Sequence, residues 1–277
     1  MNVTSAEPLV EHSSLTARAP RGGHEGYLVF KNVSIAFESN PVLDGVSFDV
    51  MPGETVCILG RSGTGKSVSL RIMMGFLKPD AGHVIVTGED ITEYSEEDLQ
   101  RIRKKVTMVF QNGALFDSLT VGENVAFPLR ERRQLDEQQV EQVVNGLLEL
   151  VQVLPLRDRL PSEISTGMKR SVAIARALAA QPAAVLYDEP TTMVDPLTAR
   201  SLADVIGRLK FQLKLTSVVV THDLRLVERV ADRVIFLDRG KVIFQGTPVE
   251  MERSSVPLVQ QFLLLDRSSL EDLLPGK

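Results

Sequence analysis

The stretch that most limits how this chain can fold is a glycine-rich loop between an apolar run and a helical pattern. It reads Gly60-Arg61-Ser62-Gly63-Thr64-Gly65-Lys66-Ser67 and matches the pattern G-x-x-x-x-G-K-[ST]. The apolar run Thr55-Val56-Cys57-Ile58-Leu59 before it predicts a buried strand, and residues 68–77 after it predict a helix. Glycines let the backbone turn tightly and point its N–H groups at an anion, and the helix adds the positive end of its dipole. The sequence therefore predicts a phosphate-binding loop.

Two side chains at the end of this loop have roles that follow from their chemistry. Lys66 is expected to reach the β and γ phosphates of a nucleotide, and the Ser67 hydroxyl is expected to ligate Mg²⁺. A glycine turn before a helix that binds nothing is the plain alternative. The preceding strand and the acidic and histidine residues described below argue against it.

Composition excludes some function classes. The chain has 277 residues, 43% of them hydrophobic and 24% charged, as in an ordinary soluble domain large enough for a substantial core. Its net charge of −5 argues against nucleic acid as a partner. The single cysteine, Cys57, cannot form an intrachain disulfide, which favours a reducing compartment.

The chain shows no membrane-spanning or export pattern. No apolar run approaches the roughly 20 residues needed to cross a bilayer. The N-terminus lacks the charged and then apolar order of a signal peptide. If the protein works at a membrane, another subunit must hold it there.

Hydrophobic periodicity divides the chain into a tail, one large domain and an extension. Residues 1–26 predict a disordered tail, residues 27–253 the folded domain, and residues 254–277 a C-terminal extension. Short alternating segments at 27–37 and 46–50, with a turn between them at 39–41, predict an antiparallel β subdomain. Residues 112–165 predict a helical subdomain, which includes an amphipathic helix starting after a capping pair at Asp136 and Gln139. The remaining strands alternate with helices, so the fold class is α/β with a parallel-sheet core.

Several polar residues follow directly after predicted parallel strands. Gln111 follows the strand at 106–110, and His222 follows the strand at 217–221. Asp188 and Glu189 end a third apolar run, where Asp188 is placed to hold Mg²⁺ and Glu189 to polarise an attacking water. Ligands of such sheets lie beyond the carboxyl ends of the strands. An adjacent acidic pair at the surface, and a helix cap at His222, are the alternatives.

At these positions the chain resembles the ATPase subunits of ABC transporters, over about residues 27 to 250. The matching motifs are the phosphate loop at Gly60–Ser67, the Q-loop at Gln111, the signature motif at Ile164-Ser165-Thr166-Gly167-Met168, the Walker B end at Asp188-Glu189, the D-loop at Thr192-Met193-Val194-Asp195 and the switch histidine at His222. The resemblance implies a P-loop cassette with an antiparallel β subdomain and a helical subdomain.

The resemblance also implies what the site binds and how it is completed. ATP and Mg²⁺ would be held by the phosphate loop with Gln111 and Asp188, and Phe37 would stack on the base, although a core residue at a strand end is an equally good interpretation of Phe37. In this family two copies assemble head to tail. Ser165, Thr166 and Gly167 would then contact the γ-phosphate bound to the partner copy, and Asp195 would couple the two sites.

Two positions depart from the common family pattern. Thr166 stands where glycine is usual, which adds a Cβ and a hydroxyl where the backbone must approach a phosphate. Val68 stands where a hydroxyl residue is frequent, which removes a contact to the α-phosphate. We expect slower hydrolysis or a looser dimer rather than an inactive site.

A narrower resemblance concerns the transported molecule. Residues 110–117 and 123–130, the Gly167-Met168-Lys169-Arg170 end of the signature motif and residues 272–276 look like the ATPases of Mce-associated, Mla-type phospholipid transporters of Gram-negative bacteria. In that family a membrane permease docks after the Q-loop, so residues 113–116 would line its groove; packing of the helical subdomain is the alternative. A Mce-type lipid-binding subunit and a small accessory subunit are further possible partners, and the location would be the cytoplasmic face of the inner membrane.

Two other functions remain to be weighed. An ATPase for import of amino acids or another small solute has the same chemistry, because the permease and binding proteins select the substrate. A non-transport ABC protein is disfavoured by the acidic charge and the short interval between Lys66 and Ser165, less than a hundred residues. A GTPase is disfavoured because no Asn-Lys-x-Asp guanine motif is present.

Overall fold

The computed structural model describes residues 26–271, with side chains up to Leu265. The predicted tail therefore lies outside the described residues except for Gly26, as does the segment 272–276. In the described part, no helix is both long and apolar enough to cross a membrane.

The strands of the described chain form two sheets. They are β1 (Leu28–Phe37), β2 (Asn40–Val50), β3 (Thr55–Leu59), β4 (Ala81–Val86), β5 (Glu89–Asp90), β6 (Val106–Val109), β7 (Ala184–Asp188), β8 (Thr216–Val220), β9 (Arg233–Asp238) and β10 (Lys241–Gly246). One sheet is antiparallel with the order β2-β1-β4-β5. The other has the order β10-β9-β3-β8-β7-β6, parallel except for β10.

The helices pack around these sheets. They are α1 (Lys66–Met73), α2 (Glu96–Arg103), α3 (Val121–Arg132), α4 (Glu137–Leu150), α5 (Thr166–Ala179), α6 (Pro196–Leu213), α7 (Leu224–Val230), α8 (Pro248–Glu252) and α9 (Pro257–Glu271). Every residue of β3, β7 and β8 is buried, which explains why these strands are mostly apolar in the sequence, with polar residues only at their ends.

Two hydrophobic clusters cover the opposite faces of the parallel sheet. Alternate residues of β3 show this directly, because Cys57 and Leu59 belong to one cluster and Val56 and Ile58 to the other. The first cluster includes the helical segment between β6 and β7, and the second includes the antiparallel sheet and α1. The phosphate loop thus follows a strand that is fixed from both sides.

Some boundaries differ from the sequence prediction. Strand β2 begins at Asn40 rather than Val46, because the chain reverses at Glu38 and Ser39, which both have positive φ, and the predicted turn at residues 39–41 is mostly strand. Helix α5 begins at Thr166, where the Ser165 hydroxyl caps it by accepting from the Met168 N–H. The capping pair Asp136 and Gln139 is confirmed as a reciprocal box at the start of α4.

The C-terminal helix α9 packs on the domain itself. Val259 and Leu263 are buried, and the ring of Phe262 lies edge-on to Phe236 at 5.1 Å between centroids. Leu264 and Leu265 are exposed instead. In the described part of the extension, Phe262 and Leu263 are therefore engaged in packing within the domain itself.

Candidate nucleotide-binding site

The phosphate loop takes backbone conformations that require glycine. Gly60, Gly63 and Gly65 all have positive φ. An added Cβ at Gly65 would lie 2.5 Å from Leu43 Cδ2, and one at Gly60 would lie 2.4 Å from the Leu237 carbonyl oxygen. A Cβ at Gly63 would meet nothing within 4 Å, so that side of the loop is open. The closed sides face the protein and the open side is free for an anion.

Lys66 lies folded within this loop. Its Nζ donates to the carbonyl oxygens of Gly60 at 2.9 Å and Arg61 at 3.1 Å, and the side chain is only 7% exposed. Its nearest carboxylate oxygen is Glu189 Oε1, at 3.6 Å. The cation is thus held at the loop, where it is available to anionic oxygens.

Ser67 and Asp188 join the phosphate loop to the end of β7. The Ser67 hydroxyl donates to Asp188 Oδ1 at 2.7 Å. Burial raises the pKa of Asp188, while the Ser67 hydrogen bond and the charges of Arg71 and Lys66 oppose that rise. A hydroxyl and a carboxylate side by side at a phosphate loop are the hard oxygen ligands that Mg²⁺ prefers, so these residues fit the metal.

Glu189 is the hydrogen-bonding centre of the site. It has a φ of 49°, in the left-handed region that a residue with a Cβ rarely adopts. Its Oε2 accepts from the Thr192 hydroxyl and faces His222 Nδ1, both at 2.9 Å. Burial raises the pKa of Glu189, but the contacts with His222, Thr192 and Lys66 outweigh burial and the net pKa is lowered. The carboxylate therefore stays ionised at neutral pH, as a base must.

His222 is the exposed member of this group. Its side chain is 56% exposed, on the segment between β8 and α7. The hydrogen bond to Glu189 raises the pKa of His222, against the opposing effect of partial burial. Its imidazole thus lies at the surface opening of the site, with one nitrogen fixed and the other free to face a ligand.

The structure brings together only part of the predicted set. Lys66, Ser67, Asp188, Glu189 and His222 form one connected cluster. Gln111 lies just after β6, which pairs with β7, and among the described residues no hydrogen bond joins Gln111 to the cluster. The sequence predicts Thr192 only as part of the D-loop, yet the Thr192 hydroxyl donates to Glu189. Thr192 follows Glu189 by three residues, and this spacing is the sequence signal that could have indicated the contact.

The signature and D-loop residues lie at two adjacent helix starts. Asp195 caps α6 by accepting from the N–H groups of Leu197 and Thr198. An added Cβ at Gly167 would lie 2.0 Å from Thr198 Cγ2, so α5 and α6 begin in direct contact. Ser165 and Thr166 are exposed there, outside the hydrogen-bonded cluster.

The remaining predicted ligand positions border the loop. Phe37 is 42% exposed at the end of β1, which rules out the buried-core interpretation and leaves its ring accessible. Arg61 and Ser62 are exposed at the tip of the loop, while the Thr64 hydroxyl donates to the Arg61 carbonyl at 2.9 Å. Val68 packs partly buried against the hydrophobic core.

An exposed aromatic surface follows the Q-loop. Phe116 and Phe127 pack on each other at 4.9 Å between centroids, and both are more than 40% exposed. Asn124, fully buried beneath them, accepts from the Phe116 N–H and donates to the carbonyls of Phe116, Leu119 and Thr120. Asn124 thereby fixes the turn that presents this surface. Gly113 is buried and Leu115 is partly buried, whereas Ala114 and Phe116 are exposed.

A P-loop fold with an acidic pair at the end of β7 and a histidine after β8 defines a nucleotide hydrolase. The family profile of the ABC transporter ATP-binding domain, described as "ABC transporter", matches residues 43–192. The chain belongs to this family, and it is an ABC ATPase.

Curated relatives span more than one transport system. The chain is 40% identical to the chloroplastic protein trigalactosyldiacylglycerol 3 of Arabidopsis thaliana, over 84% of this chain and 72% of that one. It is 36% identical to the intermembrane phospholipid transport ATP-binding protein MlaF of Haemophilus influenzae, over 87% of this chain and 91% of MlaF. It is 37% identical to the methionine import ATP-binding protein MetN of Rhizobium johnstonii, over 86% of this chain but 66% of MetN.

Solved structures share the fold. A dimeric ATP-binding cassette in a post-hydrolysis state, bound to ADP and Pi, superposes with a TM-score of 0.73 and 30% identity, covering 80% of this chain and 98% of that cassette. The expected cassette fold is confirmed.

Proposed function

We propose that this chain is the ATPase subunit of a transporter that moves phospholipid between membranes. The observation that carries the lipid assignment is the similarity to MlaF, an intermembrane phospholipid transport ATP-binding protein, at 36% identity over 91% of its length.

Hydrolysis would proceed at the Lys66, Glu189 and His222 cluster. The backbone N–H groups of the phosphate loop and the Lys66 ammonium bind the β and γ phosphates of ATP. Glu189, ionised and fixed by Thr192, accepts a proton from water as that water attacks the γ-phosphate, and the bond between the γ-phosphorus and the bridging oxygen breaks to release ADP. His222 orients Glu189 and donates to the developing charge. Mg²⁺ bound at Ser67 and Asp188 would supply charge neutralisation on the phosphates.

The site would be completed by a second copy. Ser165 and Thr166 are exposed at the start of α5 and are not engaged with the phosphate loop of their own chain. A helix N-terminus is an anion-binding element, so in a head-to-tail dimer the signature motif closes over the partner's ATP. The similarity to a dimeric cassette supports this assembly. Asp195, on the adjoining start of α6, would link the two sites.

The aromatic surface after the Q-loop would receive the permease. Phe116 and Phe127 expose a paired apolar face, and Arg176 lies 5.6 Å from the Phe116 ring centroid. Exposed aromatic pairs of this kind are typical of protein interfaces. The chain would then be peripheral on the cytoplasmic face of the inner membrane. A Mce-type lipid-binding subunit and an accessory subunit complete the proposed assembly.

Import of an amino acid is the second candidate, since MetN relatives have similar identity. Co-purification of the native complex, followed by lipid extraction and mass spectrometry, separates the two. Bound phospholipid and a permease partner with a lipid-binding periplasmic module support the first. A solute-binding protein as partner, with no enriched lipid, favours the importer. The Glu189→Gln variant serves as the inactive control for ATP turnover.

A further inference from the structure

Arg170 is a buried cation whose position the hydrolytic mechanism above does not explain. It lies on the second turn of α5 and is 3% exposed. Its Nη1 donates to the Pro190 carbonyl at 2.6 Å, while its Nε is buried with no hydrogen-bond partner in the described chain. Charged side chains are almost never fully buried in proteins unless they are paired, and Arg170 has one hydrogen-bond partner for its guanidinium in the described chain. Arg170 is therefore expected to do more than fill space.

Pro190 directly follows the hydrolytic carboxylate. Glu189 has a left-handed φ, and such a residue is stable only where its surroundings determine its conformation. The Glu189 N–H donates to the Val220 carbonyl at 2.9 Å, and the Thr191 hydroxyl donates to Asp223 at 2.8 Å. Those contacts tie the loop to β8 and to the start of α7. The bond from Arg170 is the one that ties the loop to α5.

Helix α5 is also the helix that begins with the signature motif. Its first residues, Thr166 and Gly167, lie one turn before Arg170, and Gly167 packs against Thr198 of α6 without space for a methyl group. Because Arg170 lies on the next turn of the same helix, a displacement of the start of α5 would therefore also move Arg170. Burial lowers the pKa of Arg170, and the negative charge of Glu189 opposes that effect, so the two groups interact electrostatically as well.

We infer that Arg170 is a positioning residue for hydrolysis, which holds the Glu189 loop to the signature helix through the Pro190 carbonyl. The inference rests on the proposed role of Glu189 as the base. In the proposed dimer, the signature helix senses the ATP bound to the partner while Glu189 acts on the ATP of its own chain. Arg170 then makes closure over one nucleotide a condition for correct placement of the carboxylate at the other.

The test compares Arg170→Met and Arg170→Lys in the purified full chain. Methionine keeps most of the volume and removes the donor, whereas lysine retains one cationic donor. For Arg170→Met we expect kcat to fall about tenfold or more while KM for ATP changes less than about threefold, and Arg170→Lys to restore most of the rate. Arg132→Met is the matched control, because Arg132 also donates to a backbone carbonyl of this helix region, that of Ala180, at the far end from the site.

A second readout separates positioning from folding. Arg170→Met in a Glu189→Gln background should still form ATP-dependent dimers, measured by size-exclusion chromatography with light scattering, because nucleotide binding does not need the loop geometry. The inference would be overturned if Arg170→Met left kcat unchanged, or if it raised KM for ATP and lowered thermal stability in parallel. Loss of the dimer, or an Arg170→Lys variant as slow as Arg170→Met, would also overturn it. Absence of ATP turnover in the unmodified chain would instead overturn the proposed function.

Discussion

His222 Nδ1 and Glu189 Oε2 lie 2.9 Å apart, and each shifts the pKa of the other towards its charged form. The pair connects the end of β7 with the segment after β8, two neighbouring parallel strands. Because His222 is the more exposed partner, its titration reports directly on the nucleotide-free site.

The Glu189→Gln variant should lower the pKa of His222. In the unmodified chain the pKa of His222 is raised by its contact with Glu189. The contact therefore stabilises the folded state fully at pH values below the unfolded pKa of 6.5, and this stabilisation is lost as pH rises through the higher folded pKa. Removal of the carboxylate leaves partial burial and the Lys66 charge, which lower the His222 pKa, opposed by the Asp223 charge, so the His222 pKa should fall from its raised value. NMR titration of the His222 ring protons measures it. An unchanged midpoint would show that the pair does not form in solution.

Thr166→Gly should increase ATP turnover. Thr166 is exposed at the first position of α5, where in the proposed dimer its Cβ and hydroxyl would face a phosphate bound to the partner copy. Glycine removes that bulk without breaking the Ser165 cap, which uses the Met168 N–H. We expect a gain of about two- to tenfold in kcat/KM for ATP. The measurement is phosphate release, at a protein concentration high enough to saturate dimer formation. A slower glycine variant would contradict the expectation, and a variant with unchanged rate would show that the threonine is tolerated.

Asn124→Ala should destabilise the domain by about 2 kcal/mol or more, because it removes the hydrogen bonds that the buried Asn124 amide makes with the Phe116 N–H and with three backbone carbonyls. Equilibrium unfolding in urea measures the change. Asn145→Ala is the matched control on α4, since the Asn145 Oδ1 has no hydrogen-bond partner in the described chain. The control should cost less than about 0.5 kcal/mol. Equal losses for both variants would mean that the Asn124 contacts contribute little.

Tyr187→Phe should be neutral or stabilising by up to about 1 kcal/mol. The ring of Tyr187 is completely buried in β7, and its hydroxyl has no hydrogen-bond partner among the described residues. Burial also raises the pKa of this phenol, so it stays neutral. Phenylalanine keeps the packing and removes an unsatisfied polar group. A loss of more than about 1 kcal/mol in thermal unfolding would show that a partner, such as an ordered water, satisfies the hydroxyl.

The sequence predicted those features that depend on local pattern. The phosphate loop, the strand before it and the cap at Asp136 follow from spacing and composition alone, and the structure has them. Helix α3 was not predicted as a separate helix within the helical region, because Pro128 lies in its interior and proline usually ends or kinks a helix. The sequence assigned Ser67 and Asp188 to the same metal, and the structure places them in direct hydrogen-bond contact. The contact from Arg170 to Pro190 was not predicted, because it joins a helix to a loop 20 residues further on and only the packing of these elements creates it.

Strand β2 packs directly against the phosphate loop. Leu43 Cδ2 and the Val42 carbonyl occupy the space beside Gly65, and Gly240 packs against the same segment. The β1–β2 hairpin, with Phe37 at its tip, is therefore held against the loop that ends in Ser67. A nucleotide whose base stacked on Phe37 would thus contact two segments whose spacing is set by this packing.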